Sequence, residues 1–126
     1  MYHDSVYPVS QTGSTGMAFE AGASGKNLTE WQFGMASLNP RWNVSGTYMQ
    51  VLPSFISTDQ DGNDEKEFLL DYFNELPDLL SMVFLKGYQW PFDVNKIFGG
   101  SSVIDLLVYQ ETVLKKRRVF LDYRVN

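Results

Sequence analysis

The residue types that most often carry out enzyme chemistry are scarce in this 126-residue chain. It has a single histidine, His3, close to its amino terminus, and it has no cysteine. A Ser-His-Asp triad, a histidine metal site and a histidine acid–base catalyst would all need that one side chain. Disulfides, thiolate metal sites and cysteine nucleophiles are excluded. Carboxylates, hydroxyls and the backbone of glycine-rich loops are left as candidates.

The carboxylates follow a pattern that an exposed helix face would explain, as in the pair Glu65 and Glu67. A glycosidase needs two carboxylates that face each other across a cleft, and no pair in the sequence is marked out for that role. A small hydrolase that uses Glu30 or Asp122 is the weakest of the candidate functions. It would require loss of activity, with folding intact, when either carboxylate is changed.

Residues 59–65 read DQDGNDE, a composition that occurs in calcium-binding loops. An EF-hand loop needs glycine at its sixth position and a bidentate glutamate at its twelfth. Counted from Asp59, those positions hold Asp64 and Leu70. We therefore predict a solvated acidic linker here, and no metal site.

Two loops of small residues could bring backbone N–H groups close to a phosphate at the start of a helix. The second of them covers residues 99–102, and the first consists of Thr12, Gly13, Ser14, Thr15 and Gly16. Neither loop is a dinucleotide-binding GxGxxG motif, and neither is followed by the Lys-Ser or Lys-Thr of a P-loop. Beginning a helix is the commoner role of such loops.

The amino-acid composition limits the classes of protein to which this chain could belong. The chain is 44% hydrophobic and 15% aromatic, which is ample for a core, and its net charge is −5 with a pI near 4.7. The acidic balance argues against nucleic acid and anionic membrane as partners. The only basic cluster, residues 115–118, is expected to complement the end of a helix. No apolar run approaches a membrane span, and no signal peptide is recognisable, so we expect a cytoplasmic protein.

The elements that would position these residues fall into two parts, 1–58 and 59–126, which we expect to form one compact unit. In the first part we predict a helix over 16–21, capped by Ser14 or Thr15 and ended by Gly22. Strands are predicted over 29–35, 42–52 and 55–58, with a bulge or turn at Gly46.

The second part shows helical periodicity. We predict a helix over 65–76 capped by Asn63 or Asp64, a second beginning at Pro77, and a third over 103–114 that opens with a capping box at Ser102. A hairpin with its first strand over 106–113 is the alternative to the third helix. A strand follows over 118–125. Helices and strands in separate runs predict the α+β class.

From residue 13 to residue 36 the sequence reads GSTGMAFEAGASGKNLTEWQFGMA. It resembles a stretch in the flavoprotein subunits of the succinate dehydrogenase and fumarate reductase superfamily. There a Thr-Gly-Asp-Gly loop near FAD opens a helix that ends in Ala-Gly-Ala, and a Gln-Phe-His-Pro-Thr strand follows and touches substrate. The end of the chain, Val119-Phe120-Leu121-Asp122 after a basic turn, resembles the family's Val-Tyr-Leu-Asp strand.

The resemblance implies FAD as cofactor and a cleft covered by a capping domain. It places Thr12, Gly13, Ser14, Thr15 and Gly16 near the flavin, and Gln32, Phe33 and Gly34 near the substrate. Two positions depart from the family: Gly13 stands where the flavin-contacting Asp would be, and Gly34 where the substrate-binding His would be. Dicarboxylate binding is therefore not expected.

Two functions from different classes follow. The first is an internal segment of a FAD-dependent oxidoreductase, with the remainder of that flavoprotein as its partner, inactive alone and prone to self-association through bare apolar surface. The alternative is a self-contained protein- or peptide-binding module, which would have a complete core and one exposed aromatic patch.

Overall fold

A computed structural model describes residues 13–26, 34–44 and 46–124, and it has the predicted α+β class. Four α-helices lie in this part of the chain: α1 (Ser14–Glu20), α2 (Gly46–Gln50), α3 (Leu76–Tyr88) and α4 (Ser102–Tyr109). The strands are β1 (Ala36–Leu38), β2 (Arg41–Asn43), β3 (Ser54–Thr58), β4 (Lys66–Glu67) and β5 (Arg118–Asp122). Two 3-10 turns, Phe68–Asp71 and Val94–Lys96, and a π-helical turn, Gln110–Leu114, complete the set.

The larger sheet has the antiparallel order β4-β3-β5, with β3 in the centre. Phe55 lies opposite Leu121 and Ser57 lies opposite Val119, so these four side chains share one face. Phe55 and Ser57 are fully buried on it. β1 and β2 form a separate two-stranded hairpin.

The hydrophobic core joins this sheet face to the helices. It gathers one or two residues from α2, β3, the first 3-10 turn, α3 and α4, namely Met49, Phe55, Phe68, Leu69, Leu79, Val83, Val103 and Ile104. Because Met49 and Phe55 pack with residues from after position 65, the core includes both halves of the sequence.

The strand predicted over 42–52 is wrong beyond Asn43, because residues 46–50 form α2. Gly46 begins this helix instead of marking a bulge. A Cβ on Gly46 would lie 3.0 Å from the carbonyl oxygen of Gly87, and one on Gly87 would lie 2.9 Å from that of Gly46. The two glycines let α2 and α3 cross at close range, and this packing outweighs the strand propensity of the segment.

The helix predicted over 65–76 is also wrong. Lys66 and Glu67 pair with Ser57 and Ile56 as a short strand, and a 3-10 turn follows. Asp64 has a left-handed φ of 52° and does not cap a helix. Hydrogen bonds between β4 and β3 therefore form in place of the helical hydrogen bonds that the spacing of the apolar residues predicted.

The later elements are largely as predicted. The α3 helix carries Pro77 in its first turn, and residues 55–58 and 118–122 are strands. Residues 102–114 are helical, first α and then π, so the hairpin alternative is wrong. The capping box is wrong too, because the Ser102 hydroxyl accepts a hydrogen bond from the Asp93 N–H instead.

The first helix has the predicted end but not the predicted cap. Gly22 has a φ of 91°, the left-handed conformation that favours glycine. Gly13, with a φ of 95°, occupies the N-cap position in place of Ser14 or Thr15. Of the strand predicted over 29–35, residues 29–33 lie outside the described ranges, and residues 34 and 35 precede β1 and are not part of a strand. Among the helices that the structure describes, none has the length and apolar character to cross a membrane.

Candidate functional site

The residues predicted to contact flavin or substrate lie in two separate segments. Thr12, Gln32 and Phe33 fall outside the described residues. Gly13, Ser14, Thr15 and Gly16 form the entry and first turn of α1, where all four are exposed. Gly34 precedes β1 and is half-buried.

Within the described part of the chain, the loop at the start of α1 is hydrogen-bonded to its own helix. The Met17 N–H donates to the Gly13 carbonyl at 3.1 Å and closes the first turn. α1 has no buried residue, and Met17 is 69% exposed. A seven-residue helix is only marginally stable in water on its own, and α1 leaves the apolar side chains of Met17 and Phe19 exposed.

Gly34 lies against the side chain of Trp90. A Cβ added to Gly34 would lie 2.6 Å from Cε3 of the indole and 2.8 Å from its Cζ3. Any side chain at position 34 would therefore require Trp90 to move. The histidine that stands at this position in the resembling family has no room in this arrangement. Close packing against Trp90 therefore explains why residue 34 is a glycine.

Lys86 is buried at the carboxyl end of α3, with 1% of its side chain exposed. Its ammonium donates to the Asp105 carboxylate at 2.5 Å, to the Trp90 carbonyl at 2.8 Å and to the Gln89 carbonyl at 3.3 Å. It thereby joins the end of α3 to the first turn of α4. Burial lowers the pKa of Lys86 and raises the pKa of Asp105, and the bond between them opposes both shifts.

The second loop of small residues is used internally. Ser101 and Ser102 are fully buried. The Ser101 hydroxyl donates to the Gln89 carbonyl at 3.4 Å, and a Cβ on Gly100 would lie 2.7 Å from the Lys96 carbonyl. Gly100, Ser101 and Ser102 are therefore buried against the chain that follows α3, whereas Gly99 is exposed.

A second buried charge cluster surrounds Glu111 in the π-helical turn. Lys115 bonds one carboxylate oxygen, and the Nε of Arg117 lies 3.4 Å from the other, Oε2. Oε2 has no hydrogen-bond partner among the described residues, and Glu111 is only 2% exposed. Burial, the largest single effect, works to raise the pKa of Glu111, but the hydrogen bonds with Lys115 and Ser57 and the nearby positive charges together hold that pKa below its ordinary value.

Arg117 ties this turn to the sheet and to the acidic linker. Its Nε donates to the Ser57 hydroxyl at 3.1 Å, and its Nη2 to the Ser57 carbonyl at 3.2 Å. Nη1 and Nη2 donate to the carboxylate and the carbonyl of Asp64 at 2.7 and 2.5 Å. The guanidinium thus fixes the β3–β4 connection against the start of β5.

The basic cluster therefore divides by role. Lys115 and Arg117 neutralise Glu111 and Asp64, while Arg118 stacks over the Phe120 ring at 5.1 Å. Sequence reasoning missed the buried carboxylates and Lys86. Two signals could have indicated them: Lys86 lies three residues after Val83 on the apolar face of α3, and Glu111 lies four residues before Lys115.

Two concave surfaces of the described chain do not resemble a substrate site. A cavity of about 200 Å³ lies between the first 3-10 turn and α4, with Tyr72 and Leu107 in its walls beside the paired Glu111 and Lys115. An open groove of about 350 Å³ runs over the outer face of the sheet, along Ile56 and Phe120. Within the described ranges, no three acidic or histidine side chains converge to hold a metal.

Asp122, one of the two carboxylates that a hydrolase could use, is held by Arg124. The guanidinium donates to both carboxylate oxygens, at distances from 2.7 to 3.1 Å, and these bonds lower the pKa of Asp122 to about 2. A carboxylate so strongly ionised is a poor general acid near neutral pH. Glu30 lies outside the described residues.

Comparison with protein-family models, with curated proteins and with solved structures gives no match. The function is therefore argued from the geometry and from the resemblance of residues 13–36. Among the described residues, the buried charged groups named above form ion pairs and hydrogen bonds with other parts of the same chain. The features open to a partner are the α1 loop, Trp90 and a wide distribution of exposed apolar side chains.

Proposed function

We propose that this chain is a segment of a cytoplasmic FAD-dependent oxidoreductase, in which it forms part of the flavin and substrate cleft and its cap. The observation that carries the proposal is the wide spread of exposed large apolar side chains. Phe98 is 94% exposed, Leu38 77% and Met17 69%, in three separate parts of the chain. A segment that is covered on several sides by the rest of an enzyme would have such a surface.

The distribution of these side chains separates the two candidate functions. A self-contained module would concentrate them in one patch that binds its partner. Here they occur on both strands of the hairpin and on every α-helix of the described chain, and they include Trp42, Tyr48, Leu76, Tyr88, Leu106, Tyr109, Val113 and Leu114. Exposed apolar side chains on so many elements fit an interior segment better than a free-standing binding protein.

The flavin role comes from the resemblance of the sequence. Residues 12–16 would lie near FAD, and residues 32–34 would lie near the substrate. The accessible first turn of α1 and its small residues suit such a contact, because backbone N–H groups there can approach a ligand. FAD also needs a walled cleft for its ring system. This chain offers at most one wall, so we expect no turnover and weak or absent FAD binding by the isolated chain.

The test begins with the genomic reading frame on both sides of the segment, expressed as one protein. We expect that protein to purify with a flavin absorption spectrum. The isolated 126 residues should bind a hydrophobic dye, self-associate in size-exclusion chromatography and show no dye-linked oxidoreductase activity. A colourless protein, or a frame with stop codons immediately outside the segment, would contradict the proposal. So would turnover by the isolated chain.

A protein- or peptide-binding module is the second candidate, favoured by one observation. Phe84 and Tyr88 pack edge to face on α3 with their ring centres 5.5 Å apart, and both are exposed. Such a pair is a typical anchor at a protein interface. This function predicts a monomer in size-exclusion chromatography, with dye binding that is lost when Phe84 and Tyr88 are both changed to serine.

A further inference from the structure

Strand β5 forms one edge of the larger sheet. It pairs with β3 on one side, and within the described part of the chain no backbone group is hydrogen-bonded to its other side. Its register with β3 runs over residues 118–122 without a bulge, and no proline interrupts it. An edge strand presents a row of unpaired N–H and C=O groups to which another strand can bond. The open edge of β5 is therefore a surface on which a further strand can pair.

The sequence of this edge is complementary to itself. β5 reads Arg-Val-Phe-Leu-Asp, so two antiparallel copies with Phe120 opposite Phe120 bring Arg118 opposite Asp122 at both ends. Val119 then lies opposite Leu121 on the face that each chain turns toward its core. Opposite charges, aromatic rings and apolar side chains at directly facing positions stabilise an antiparallel pair. A shift of one residue would turn the core face of one copy outward, which fixes the register.

The same side chains are incompletely used within a single chain. Arg118 forms no ion pair with a described residue, and its guanidinium lies over the Phe120 ring, which is 42% exposed. The two apolar residues of the strand are only half-buried. Asp122 is held in place by its backbone and side-chain hydrogen bonds from Arg124. Because these come from three N–H groups and a carboxylate accepts about four hydrogen bonds, a second cation can still bond to it.

We propose that two copies of this chain form a symmetric dimer in which their β5 strands pair and the two sheets become one. The charge pattern of the edge selects a second copy as the occupant. A wholly acidic strand would place a like charge opposite Asp122, and a wholly basic strand would do so opposite Arg118. The inference uses only this edge and does not depend on the proposed flavin role.

The first experiment changes the charges of the 126-residue chain and follows dimerisation by sedimentation equilibrium. Arg118→Asp and Asp122→Arg each place like charges opposite one another, so each variant alone should dimerise at least about tenfold more weakly. An equimolar mixture of the two restores opposite charges at both ends and should dimerise within about threefold of the original chain. Lys116→Asp, the same charge change just outside the strand, is the matched control and should leave dimerisation unchanged.

The second experiment locates the contact directly. The chain has no cysteine, so a single introduced cysteine reports a single position. Phe120→Cys lies opposite its own copy with Cβ atoms about 5 Å apart, within a small movement of disulfide distance. Ser81→Cys, exposed on α3, is the control for chance collisions. Under mild oxidation we expect the cysteine at position 120 to crosslink at least about tenfold faster.

The inference is overturned if the original chain is a monomer, if dimerisation survives both charge changes, or if the mixed variants fail to pair. Crosslinking at position 81 as fast as at position 120 overturns it too, because the copies would then meet elsewhere. Self-association through another surface leaves the proposed function standing. If circular dichroism shows that a charge variant is unfolded, the two crosslinking rates decide.

Discussion

The Lys86 ammonium and the Asp105 carboxylate lie 2.5 Å apart in a part of the core where Lys86 is almost wholly buried. The same ammonium also meets the carbonyls of Gln89 and Trp90, so one side chain holds the end of α3, the Trp90 backbone and the start of α4 together. The pair therefore has a structural role, since the hydrogen-bonding capacity of the ammonium is fully used within the chain.

The first prediction concerns the ion pair between Lys86 and Asp105. Lys86→Met removes the cation and leaves Asp105 buried without its partner, so we expect a loss of about 3–5 kcal/mol in the free energy of unfolding. Lys86→Met combined with Asp105→Leu should recover much of that loss, because the unpaired charge is removed. Urea denaturation of the two single variants and the double variant measures the coupling.

The exposed pair of Lys66 and Asp71, 3.3 Å apart, supplies the control. Lys66→Met should change the free energy of unfolding by no more than about 0.5 kcal/mol, since exposed ion pairs contribute little. Equal effects of the two lysine changes would contradict the structural importance of Lys86.

The second prediction tests the contact between Gly34 and Trp90. Gly34→Ala places a methyl group 2.6 Å from Cε3 of the Trp90 indole. We expect a loss of about 1–3 kcal/mol in the free energy of unfolding through overpacking. Trp90→Leu in the same chain should reduce this penalty by making room. Gly16→Ala is the matched control, because nothing lies within 4 Å of a Cβ there. It should be neutral or slightly stabilising, as helix propensity favours alanine. Thermal unfolding followed by circular dichroism measures these variants beside the original chain.

The third prediction concerns Arg117, which bonds both Ser57 and Asp64 and lies 3.4 Å from a Glu111 oxygen. Arg117→Met leaves Glu111 with one cationic partner, Lys115, and we expect a loss of about 2–4 kcal/mol. Arg118→Met, the neighbouring control, loses only an exposed stacking contact with Phe120 and should cost less than about 1 kcal/mol. Urea midpoints for the two variants that differ by less than the error of the measurement would contradict this account.

The sequence predicted the elements whose local signals agree with their packing. Pro77 in the first turn and apolar residues at helical spacing predict α3, and Leu79 and Val83 are indeed buried. The β-branched and aromatic segment 55–58 is a central strand for the same reason. Gly22 ends α1 because a residue with positive φ is needed there.

The remaining elements are decided by partners distant in the sequence. Residues 66–67 have helical spacing, yet they pair with β3, which no local pattern can indicate. The sequence predicts a strand with a bulge or turn at Gly46, but this glycine is the point where α2 meets Gly87 of α3. The pairing of Lys86 with Asp105 could not be predicted for a similar reason, because the two residues lie on different helices. The pairing of Glu111 with Lys115, in contrast, is indicated by their spacing of four residues.

The fourth prediction concerns pH. The bonds from Arg124 lower the pKa of Asp122 from 3.8 to about 2 in the folded chain. A carboxyl group with a lowered folded pKa contributes stability that is fully present above its unfolded pKa and is lost as the pH falls through its folded pKa. Asp122→Asn should therefore destabilise the chain at about pH 5, and the difference from the original chain should shrink between about pH 4 and pH 2.

Urea unfolding at about pH 5, 3.5 and 2 measures this difference, and a carboxyl NMR titration of Asp122 measures its pKa directly. Asp61→Asn, in the exposed linker, is the control and should show no comparable pH dependence. An Asp122 pKa near its ordinary value would contradict the role of Arg124.

The fifth prediction concerns the exposed apolar surface at the end of α4 and the π-helical turn. Tyr109, Val113 and Leu114 are each at least half exposed. Because they add little to the core, changing Tyr109 to Lys, Val113 to Thr and Leu114 to Lys should leave the free energy of unfolding within about 1 kcal/mol. The same changes should reduce self-association and dye binding of the isolated chain, which light scattering after size-exclusion chromatography measures. In the longer flavoprotein they should instead lower the yield of folded, flavin-bearing protein, since there the surface is expected to be covered. A triple variant that binds as much dye and self-associates as strongly as the original would show that this face is not the one left bare.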